Sequence, residues 1–412
     1  MAYLCVSGCQ VQEASVTCAP GNDGLVLPEG FCAVVVADTL GRARQLTVRG
    51  NGDIYVALRT PHAEGGIAAL RDSDGDGVAD SVAYFGEHGG GGIHLRGAYL
   101  YFASDTMIVR YPMGADALLP TGEAETVVSG LARGRSHALK PFEFDDAGNM
   151  YVNVGAPSNT CQDPPRTPGA AGQDPCPLLE RFGGVWRFDA DRPGQTQDED
   201  GYRFASGIRN GVANAWNPLV GKLFVVQHGR DDLHRFWPER FTEEDNNQLP
   251  AEEFFVVEDG SDFGWPYCYF DHIKDVKLLN PEYGGDGNIV GRCEDFERPI
   301  YGFPGHWAPN DVLFYTGEHF PARYHGGAFV AFHGSWNREP VQQGYRVVFL
   351  PMNGETPTGD FETFAEGFVG TDTLTVPTLA RARPTGLATG PEGSLYIADS
   401  RHGRIWRILY KD

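Results

Sequence analysis

The chain has 412 residues, and its 55 Asp and Glu residues outnumber its 33 Lys and Arg residues, giving a net charge of −22. This excess of negative charge repels polyanions, so it argues against a nucleic-acid partner. No run approaches the roughly eighteen apolar residues that a membrane-spanning helix needs. The 54 glycines and 28 prolines favour many short strands joined by turns over long helices.

The N-terminal segment carries a separate signal. Residues 6–9 of MAYLCVSGC resemble the cleavage box of a bacterial lipoprotein, but the apolar stretch that should precede such a box is missing. Two interpretations stay open: a lipid anchor at Cys9 or a chance match. We assign residues 1–27 to this N-terminal segment and residues 28–412 to one folded domain.

Six repeats in this domain each combine a turn, a short hydrophobic strand and a basic or aromatic strand. They are GNGDIYVAL with GIAALRD, RGAYLYFAS with MIVRYPM, DAGNMYVNVG with GGVWRFD, VGKLFVVQHG with LHRFW, GGAFVAFHGSW with YRVVFLPM, and PEGSLYIADS with GRIWRIL. The blades of a propeller repeat in this way. The sequence therefore predicts an all-β fold, a six-bladed β-propeller in which the first strand of each pair is the inner one. Uneven spacing of the repeats predicts long loops at 156–183 and 231–310, where functional residues commonly lie.

An acidic loop follows the first repeat. Asp72, Asp74, Asp76 and Asp80 occupy positions one, three, five and nine of an EF-hand-like loop, but position twelve lacks the bidentate Glu. Two interpretations stay open: a weak, structural calcium site or an Asp/Gly turn without metal.

Six of the eight cysteines form pairs that are close in sequence. The pairs are Cys18 with Cys32, Cys161 with Cys176, and Cys268 with Cys293. Their spacing fits no zinc, thioredoxin or haem motif, so we predict disulfides and a periplasmic or secreted location. The alternative is a set of reduced core cysteines in a cytosolic protein.

Cationic, polar or aromatic residues recur just before the predicted inner strands. They are Arg42, Arg44, His94, His137, Arg209, Asn210, Trp307, Arg381 and Arg383. Singly, an arginine here is more often a surface ion pair and a histidine a structural one. Their repetition in an acidic protein predicts a positive pocket for a compact, multiply charged anion at one end of the central channel. GxGxxG, GxSxG and HExxH motifs are absent, which argues against a nicotinamide-binding domain and the hydrolases with those motifs.

Several segments together resemble a known family. They are SHALKPFEFDDAGNMYVNVG, GIRNGVANAWNP, VVQHGRDD, DFGWPYC, FHGSWNR and RARPTGLATGPEGSLYIADSRHGRIWRI. From about residue 28 to the C-terminus, their order is similar to that of the soluble quinoprotein sugar dehydrogenases, six-bladed propellers that bind pyrroloquinoline quinone (PQQ). The sorbosone and aldose dehydrogenase branch is the most similar.

The resemblance implies roles for individual residues. It makes His137 the general base that takes the proton from the sugar's anomeric hydroxyl while a hydride passes to the quinone. Arg209 and Asn210 would contact the quinone oxygens, with Arg209 stabilising the charge that develops there, and Arg381 and Arg383 would bind the cofactor's carboxylates.

The resemblance also implies a calcium ion, held by the main-chain carbonyls of Gly229 and Arg230 and bridging to the cofactor. Relatives that oxidise glucose have a proline where this chain has Arg230, and a lysine in the fifth blade for which Arg338 is the candidate replacement. Arg44 and Trp307 complete the predicted cofactor-binding set.

The sequence thus predicts a PQQ- and calcium-dependent dehydrogenase that oxidises an aldose or related sugar or aldehyde and passes electrons to an external acceptor. Two alternatives stay open. A calcium propeller of the lactonase type would bring carboxylates and amides to the channel, and a non-catalytic propeller would serve as a binding platform.

Overall fold

The computed structural model describes residues 16–411 as six four-stranded antiparallel blades around a central channel, which confirms the predicted six-bladed propeller. From the innermost strand outward, the strands are as follows: blade one, Ala43–Val48, Ile54–His62, Gly65–Arg71 and Ser81–Phe85; blade two, Gly90–Arg96, Tyr99–Ser104, Ile108–Pro112 and Glu125–Ser129; blade three, Phe142–Phe144, Asn149–Val154, Gly184–Asp189 and Tyr202–Ser206; blade four, Ala213–Asn217, Lys222–Val226, Glu252–Val257 and Tyr301–Phe303; blade five, Pro309–Phe314, Ala328–Phe332, Arg346–Leu350 and Glu362–Ala365; blade six, Pro384–Thr389, Leu395–Asp399, Ile405–Tyr410 and Phe31–Ala37.

Shorter elements decorate the blades. Gln195–Thr196 and Ser261–Asp262 add parallel strands to blades two and three, and two hairpins pair Cys268–Asp271 with Val276–Leu279 and Met352–Asn353 with Thr356–Pro357. The α-helices of the described chain are Leu233–Phe236 and Glu243–Gln248, and its 3-10 helices are Pro20–Gly24, Pro177–Glu180, Pro281–Tyr283, Gly291–Asp295, Ala322–Tyr324 and Pro377–Leu379. Within residues 16–411, no helix has the length and apolar character to cross a membrane.

The two ends of the chain close the ring in blade six. Phe31–Ala37 pairs antiparallel with Ile405–Tyr410, with Phe31 opposite Tyr410. Residues 16–27, which the sequence analysis assigned to the N-terminal segment, also pack against the propeller. Asp23 accepts hydrogen bonds from Arg404 and Trp406, and Leu25 is buried in the core. The pairing of Phe31–Ala37 with Ile405–Tyr410 completes blade six and joins the two ends of the ring.

The repeats recognised in the sequence are the second and third strands of the blades, not the innermost ones. A second strand is buried on both faces: in blade one, Val56 packs toward blade six and Tyr55 toward blade two. Such strands appear in a sequence as continuous hydrophobic runs. The innermost strands border the channel and carry polar residues such as Arg44 and Gln45, so their hydrophobic pattern is weaker.

The segment LHRFW is not a strand. Leu233–Phe236 is a helix that follows Asp232, whose φ is 62°, and its Leu233 and Phe236 side chains pack against Phe241. The third strand of blade four is Glu252–Val257 instead. The prediction was wrong because a four-residue helix buries its first and last residues, which resembles a strand with apolar ends.

All three predicted disulfides are present. The S–S distances are 2.07 Å for Cys18–Cys32, 1.93 Å for Cys161–Cys176 and 1.96 Å for Cys268–Cys293. The last two bonds each lie within one of the predicted long loops, and the two loops pack together because Cys161, Cys176, Cys268 and Cys293 belong to one buried cluster with Trp265. Cys9 lies outside the described residues.

These bonds give a testable stability effect. Replacing Cys161 and Cys176 together by Ser is expected to lower the free energy of unfolding by about 3 kcal/mol, since the bond closes a loop of 15 residues in the unfolded chain. Denaturant unfolding of oxidised protein measures the change. Mass spectrometry without reduction should find the 161–176 and 268–293 peptides linked, and free thiols at these four positions would refute the assignment.

Candidate active site at the channel mouth

A cavity on the propeller axis marks the centre of the channel. All six blades line it, through Arg44, Gln45, Gly91, Leu139, Pro141, Val212, Asn310 and Thr385. These residues lie at or just before the N-terminal ends of the innermost strands, so this end of the channel, called here the mouth, is where the predicted anion pocket should be.

Positive charge that is not balanced by an ion pair within residues 16–411 comes to the mouth from three arginines, Arg42, Arg44 and Arg383. Burial, together with the charges of Arg42, Arg59 and Arg383, lowers the pKa of Arg44 to about 10. Arg59 is neutralised by Asp105 at 2.6 Å, but the Arg44 Nε is buried and has no hydrogen-bond partner in the described chain. Arg383 donates from Nε to His333 O at 2.9 Å and from Nη2 to Gly334 O at 2.6 Å, and its guanidinium lies 5.1 Å from the centre of the Tyr345 ring. Like charges held together, with no carboxylate bonded to the guanidinium of Arg44 or Arg383 in the described chain, fit an anionic guest.

His137 is held in one orientation near Arg209 and His228. Its Nδ1 is 2.5 Å from Ala156 O, so in the neutral ring Nδ1 carries the proton and Nε2 keeps a lone pair. Burial and the charge of Arg209 lower its pKa to about 3. The residue has φ 54°, and a Cβ on neighbouring Gly155 would lie 2.8 Å from the His137 Cβ, so the backbones meet closely here.

Arg209 is fully buried and organises the loop that follows the second strand of blade four. Its Nη1 donates to Gly229 O at 2.5 Å, and its Nη2 donates to Asn159 Oδ1 at 3.0 Å and to Asp231 Oδ2 at 2.9 Å. Burial alone would raise the pKa of Asp231, but the charges of Arg209 and Arg166 outweigh it and hold this pKa well below the ordinary range. The charge of Arg209 is therefore largely balanced by Asp231.

Asn210 lies next to His137. A Cβ added to Gly155 would meet the Asn210 Oδ1 at 2.6 Å as well as the His137 Cβ. Asn210 is 3% exposed, and its Oδ1 has no hydrogen-bond partner within the described residues. A buried amide oxygen without a donor costs free energy, so it fits a site that a bound molecule completes.

The predicted calcium loop does not present Gly229 O as a free carbonyl. Gly229 O accepts the hydrogen bond from Arg209, so a cation at this oxygen would compete with a guanidinium. Arg230 points away and forms a buried ion pair with Glu282, with 2.7 Å between Nη1 and Oε2. With Arg209 in this position, the residues do not fit a calcium ion at Gly229 O.

Four predicted site residues lie elsewhere. Arg381 faces Asp23, with 3.9 Å between their side-chain atoms. Arg338 is 2% exposed and donates to Asn247 O and Gly305 O. Trp307 packs in the core against Phe332 and Phe361. His94 lies at the opposite end of the channel, 3.4 Å from Glu143.

Two further histidines belong to the mouth, and the sequence prediction gave them no site role. Burial lowers the pKa of His228 to about 4, and burial with the charges of Arg383 and Arg44 lowers the pKa of His333 well below its ordinary value. His333 directly follows the second strand of blade five, in FHG, and His228 lies two residues after the second strand of blade four, in QHG. This shared position was a usable signal, because the loop after each second strand returns to the mouth.

The acidic loop of blade one remains a candidate cation site only. Oxygens of Asp72, Asp74 and Asp80 lie within 4.8 Å of one another, and Asp76 is not part of this group. The same carboxylates accept main-chain hydrogen bonds, as from Gly75 and Gly77 to Asp72. The loop connects the two outer strands of its blade, away from the mouth.

At the opposite end of the channel, Glu143 is largely but not fully buried, with 15% of its side chain exposed, near a second acid. Burial and the charge of Asp311 raise the pKa of Glu143 well above its ordinary value. The folded state therefore favours the neutral carboxyl, and wild-type protein loses stability as the pH rises above the unfolded pKa of about 4.3. Glu143→Gln mimics the neutral acid. It should match wild type near pH 4 and be more stable near pH 8 by about 1 kcal/mol or more. Denaturant unfolding at both pH values checks this, and a difference independent of pH would contradict it.

Comparisons with known proteins agree with this architecture. The pyranose dehydrogenase of Coprinopsis cinerea, described as PQQ-dependent, is 26% identical over 272 residues, which cover 57% of this chain and 32% of that protein. An uncharacterized protein of Borreliella burgdorferi is 29% identical over 210 residues, covering 50% of this chain and 48% of the other. The chain thus matches less than half the length of either relative.

Solved structures share the fold. The holo form of the Coprinopsis cinerea pyranose dehydrogenase PQQ domain has a TM-score of 0.74 at 18% identity, with 93% of this chain and 97% of that one covered. The calcium structure of Trichoderma reesei AA12 has a TM-score of 0.76 at 17% identity, covering 97% and 99%. The apo aldose sugar dehydrogenase of Escherichia coli has 0.57 at 17%, covering 92% and 100%. The TrAA12-like family profile matches residues 25–411, so the chain belongs to the TrAA12-like family.

Proposed function

We propose that this protein is a PQQ-dependent dehydrogenase that oxidises a sugar at the channel mouth. The observation that carries the proposal is the unbalanced cationic cluster of Arg42, Arg44 and Arg383 at the mouth, together with a histidine near Arg209 whose Nε2 is free. Membership in the TrAA12-like family and the PQQ-dependent relative support it. A lactonase-type site would instead need several carboxylates on the channel axis, whereas the described residues that line the cavity there include no Asp or Glu.

The arginines hold the anionic cofactor. The Nε of Arg44 has no hydrogen-bond partner in the described chain. Arg383 donates from Nε and Nη2 to main-chain carbonyls, which leaves its Nη1 able to donate to the cofactor. Guanidinium groups suit carboxylates because they donate two parallel hydrogen bonds. PQQ, when bound, would supply a quinone that accepts electrons from the substrate carbon.

His137 takes the proton from the sugar hydroxyl at its Nε2. The Ala156 carbonyl fixes the proton on Nδ1, so the lone pair of Nε2 faces away from that contact and is always the accepting atom. A pKa near 3 keeps the ring neutral, as a proton acceptor must be, and carboxylates bound to the neighbouring arginines would raise that pKa. The buried Arg209 and Asn210 complete the polar wall.

Binding of PQQ by Arg44 and Arg383 does not require calcium. Gly229 O is bonded to Arg209, so calcium would require this arginine to leave. The disulfides suit an oxidising location, periplasmic or secreted, and the electrons then pass to an external acceptor.

Reconstitution tests the function. The purified chain is mixed with PQQ, with calcium or with chelator, and the visible spectrum is recorded before and after addition of neutral aldoses. We expect a protein-bound PQQ spectrum that an aldose converts to the reduced form. Release of PQQ by the chelator would establish the calcium requirement, whereas a PQQ spectrum unaltered by the protein would overturn the proposal.

A further inference from the structure

A second pocket lies beside the mouth, between loops of blades four and five. His234, Glu243, Asn246, Trp336 and Asn337 are among the residues that line it. The Asp231 carboxylate separates it from the mouth. Asn337 Nδ2 donates to Asp231 Oδ1 at 3.4 Å, and Arg209 donates to Asp231 Oδ2 at 2.9 Å. A molecule in this pocket is therefore one carboxylate away from Arg209.

Trp336 gives the pocket an aromatic wall. The chain has seven tryptophans, and Trp336 alone is among the exposed large hydrophobic residues, at 52%. Within residues 16–411 its indole makes no ring-stacking or cation–π contact. Leaving so large an apolar surface in water forgoes free energy that burial would provide, so an exposed indole in a pocket is typical of a ligand platform.

The polar groups of the pocket suit hydroxyl groups. The Oδ1 atoms of Asn246 and Asn337 are buried without hydrogen-bond partners in the described part of the chain. His234 Nδ1 is 2.7 Å from Phe241 O, which leaves its Nε2 for another partner. A flat aromatic ring for the C–H face of a sugar, with amide and carboxylate groups for its hydroxyls, is the chemistry that recognises a neutral saccharide.

The charge of the pocket selects against acidic sugars. Asp232, Glu243 and Glu339 line it together with a single guanidinium, that of Arg235. A uronic acid would meet like charges there, whereas the cofactor pocket on the other side of Asp231 is cationic.

We propose that the Trp336 pocket binds a further sugar ring of the substrate, so that neutral oligosaccharides are preferred over monosaccharides. The inference rests on the proposed function, in which the first sugar ring reacts at the mouth. Binding of the further ring in the Trp336 pocket requires neither cofactor nor turnover. Trp336 stacks on the second ring, and the amides of Asn246 and Asn337 accept its hydroxyl hydrogens.

Isothermal titration of the chain without cofactor tests the pocket. The probes are glucose, maltotriose, cellotriose and trigalacturonic acid, and the variants are Trp336→Ala, Trp336→Phe and, as a matched exposed aromatic, Tyr202→Ala on the outer strand of blade three. A neutral trisaccharide should bind wild type at least about tenfold more tightly than glucose or the acidic trimer, and Trp336→Ala should lose about tenfold. Trp336→Phe should retain most of the affinity, and Tyr202→Ala all of it.

Equal affinity of Trp336→Ala and wild type for the trisaccharides would overturn the inference, and so would the absence of trisaccharide binding at millimolar concentration. These outcomes are distinct from failure of the proposed function, which would show as no reduction of PQQ by any sugar while binding to the pocket persists. In reconstituted protein, Trp336→Ala should lower kcat/KM for the trisaccharide. Its kcat for the trisaccharide and its kcat/KM for glucose should stay unchanged.

Discussion

His137→Ala is expected to lower turnover of the reconstituted protein about 10²–10⁴-fold, the factor that a lost general base typically costs. The reason is that His137 Nε2 accepts the sugar's proton, with Ala156 O holding the other ring nitrogen. PQQ affinity should change little, because the carboxylates of the cofactor are held by arginines. Steady-state kinetics with saturating PQQ measure the loss, and affinity is measured separately by titration.

The control addresses folding. His137 has φ 54°, a conformation that Asn adopts more readily than Ala, so His137→Asn should fold with less backbone strain while lacking a basic nitrogen. Both variants should show the same kinetic defect. Near-wild-type turnover in either normally folded variant would refute the general-base role.

Arg44→Met is expected to weaken PQQ binding by about 10- to 100-fold, the effect of one lost charge-assisted hydrogen bond. Turnover at saturating cofactor should largely survive. The same change should stabilise the cofactor-free protein, because it removes a buried, unpartnered Nε and relieves repulsion with Arg42 and Arg383. The melting temperature of the cofactor-free variant should therefore rise, by roughly 2–4 °C for each kcal/mol gained in the free energy of unfolding. Unchanged affinity together with lowered stability would contradict the assignment.

Two other arginines serve as comparisons. Arg383→Met should weaken PQQ binding but also destabilise the cofactor-free protein, because His333 O and Gly334 O lose their donor. Arg381→Met should leave PQQ affinity unchanged, since its guanidinium faces Asp23. The opposite effects of the two substitutions on stability distinguish Arg44, which only binds the cofactor, from Arg383, which also holds the loop at His333 and Gly334.

Blade number and disulfide pairs were accessible from the sequence. The second strand of each blade is buried between two neighbouring blades, so Tyr55 and Val56 both belong to hydrophobic cores and the run is visible without alternation. The cysteine pairs were visible because their partners are only 14 to 25 residues apart. The innermost strands were missed because they border the channel and mix polar with apolar residues.

Side-chain direction in the loops was not accessible. Arg381 and Arg383 are two residues apart, yet the first faces the N-terminal segment and the second the mouth, because no regular strand fixes the orientation of the loop between blades five and six. The environment of Arg209 depends on Asn159 and Asp231, which lie 50 and 22 residues away in the chain. Such contacts follow from how long loops fold over the mouth, and no local pattern encodes them.

The location of the cofactor is the central claim, and a crystal structure of the protein soaked with PQQ tests it most directly. We expect PQQ at the mouth, with its carboxylates on Arg44 and Arg383 and with His137 Nε2 beside the quinone. Density for PQQ at another surface, or an unchanged mouth in protein saturated with PQQ, would contradict the account.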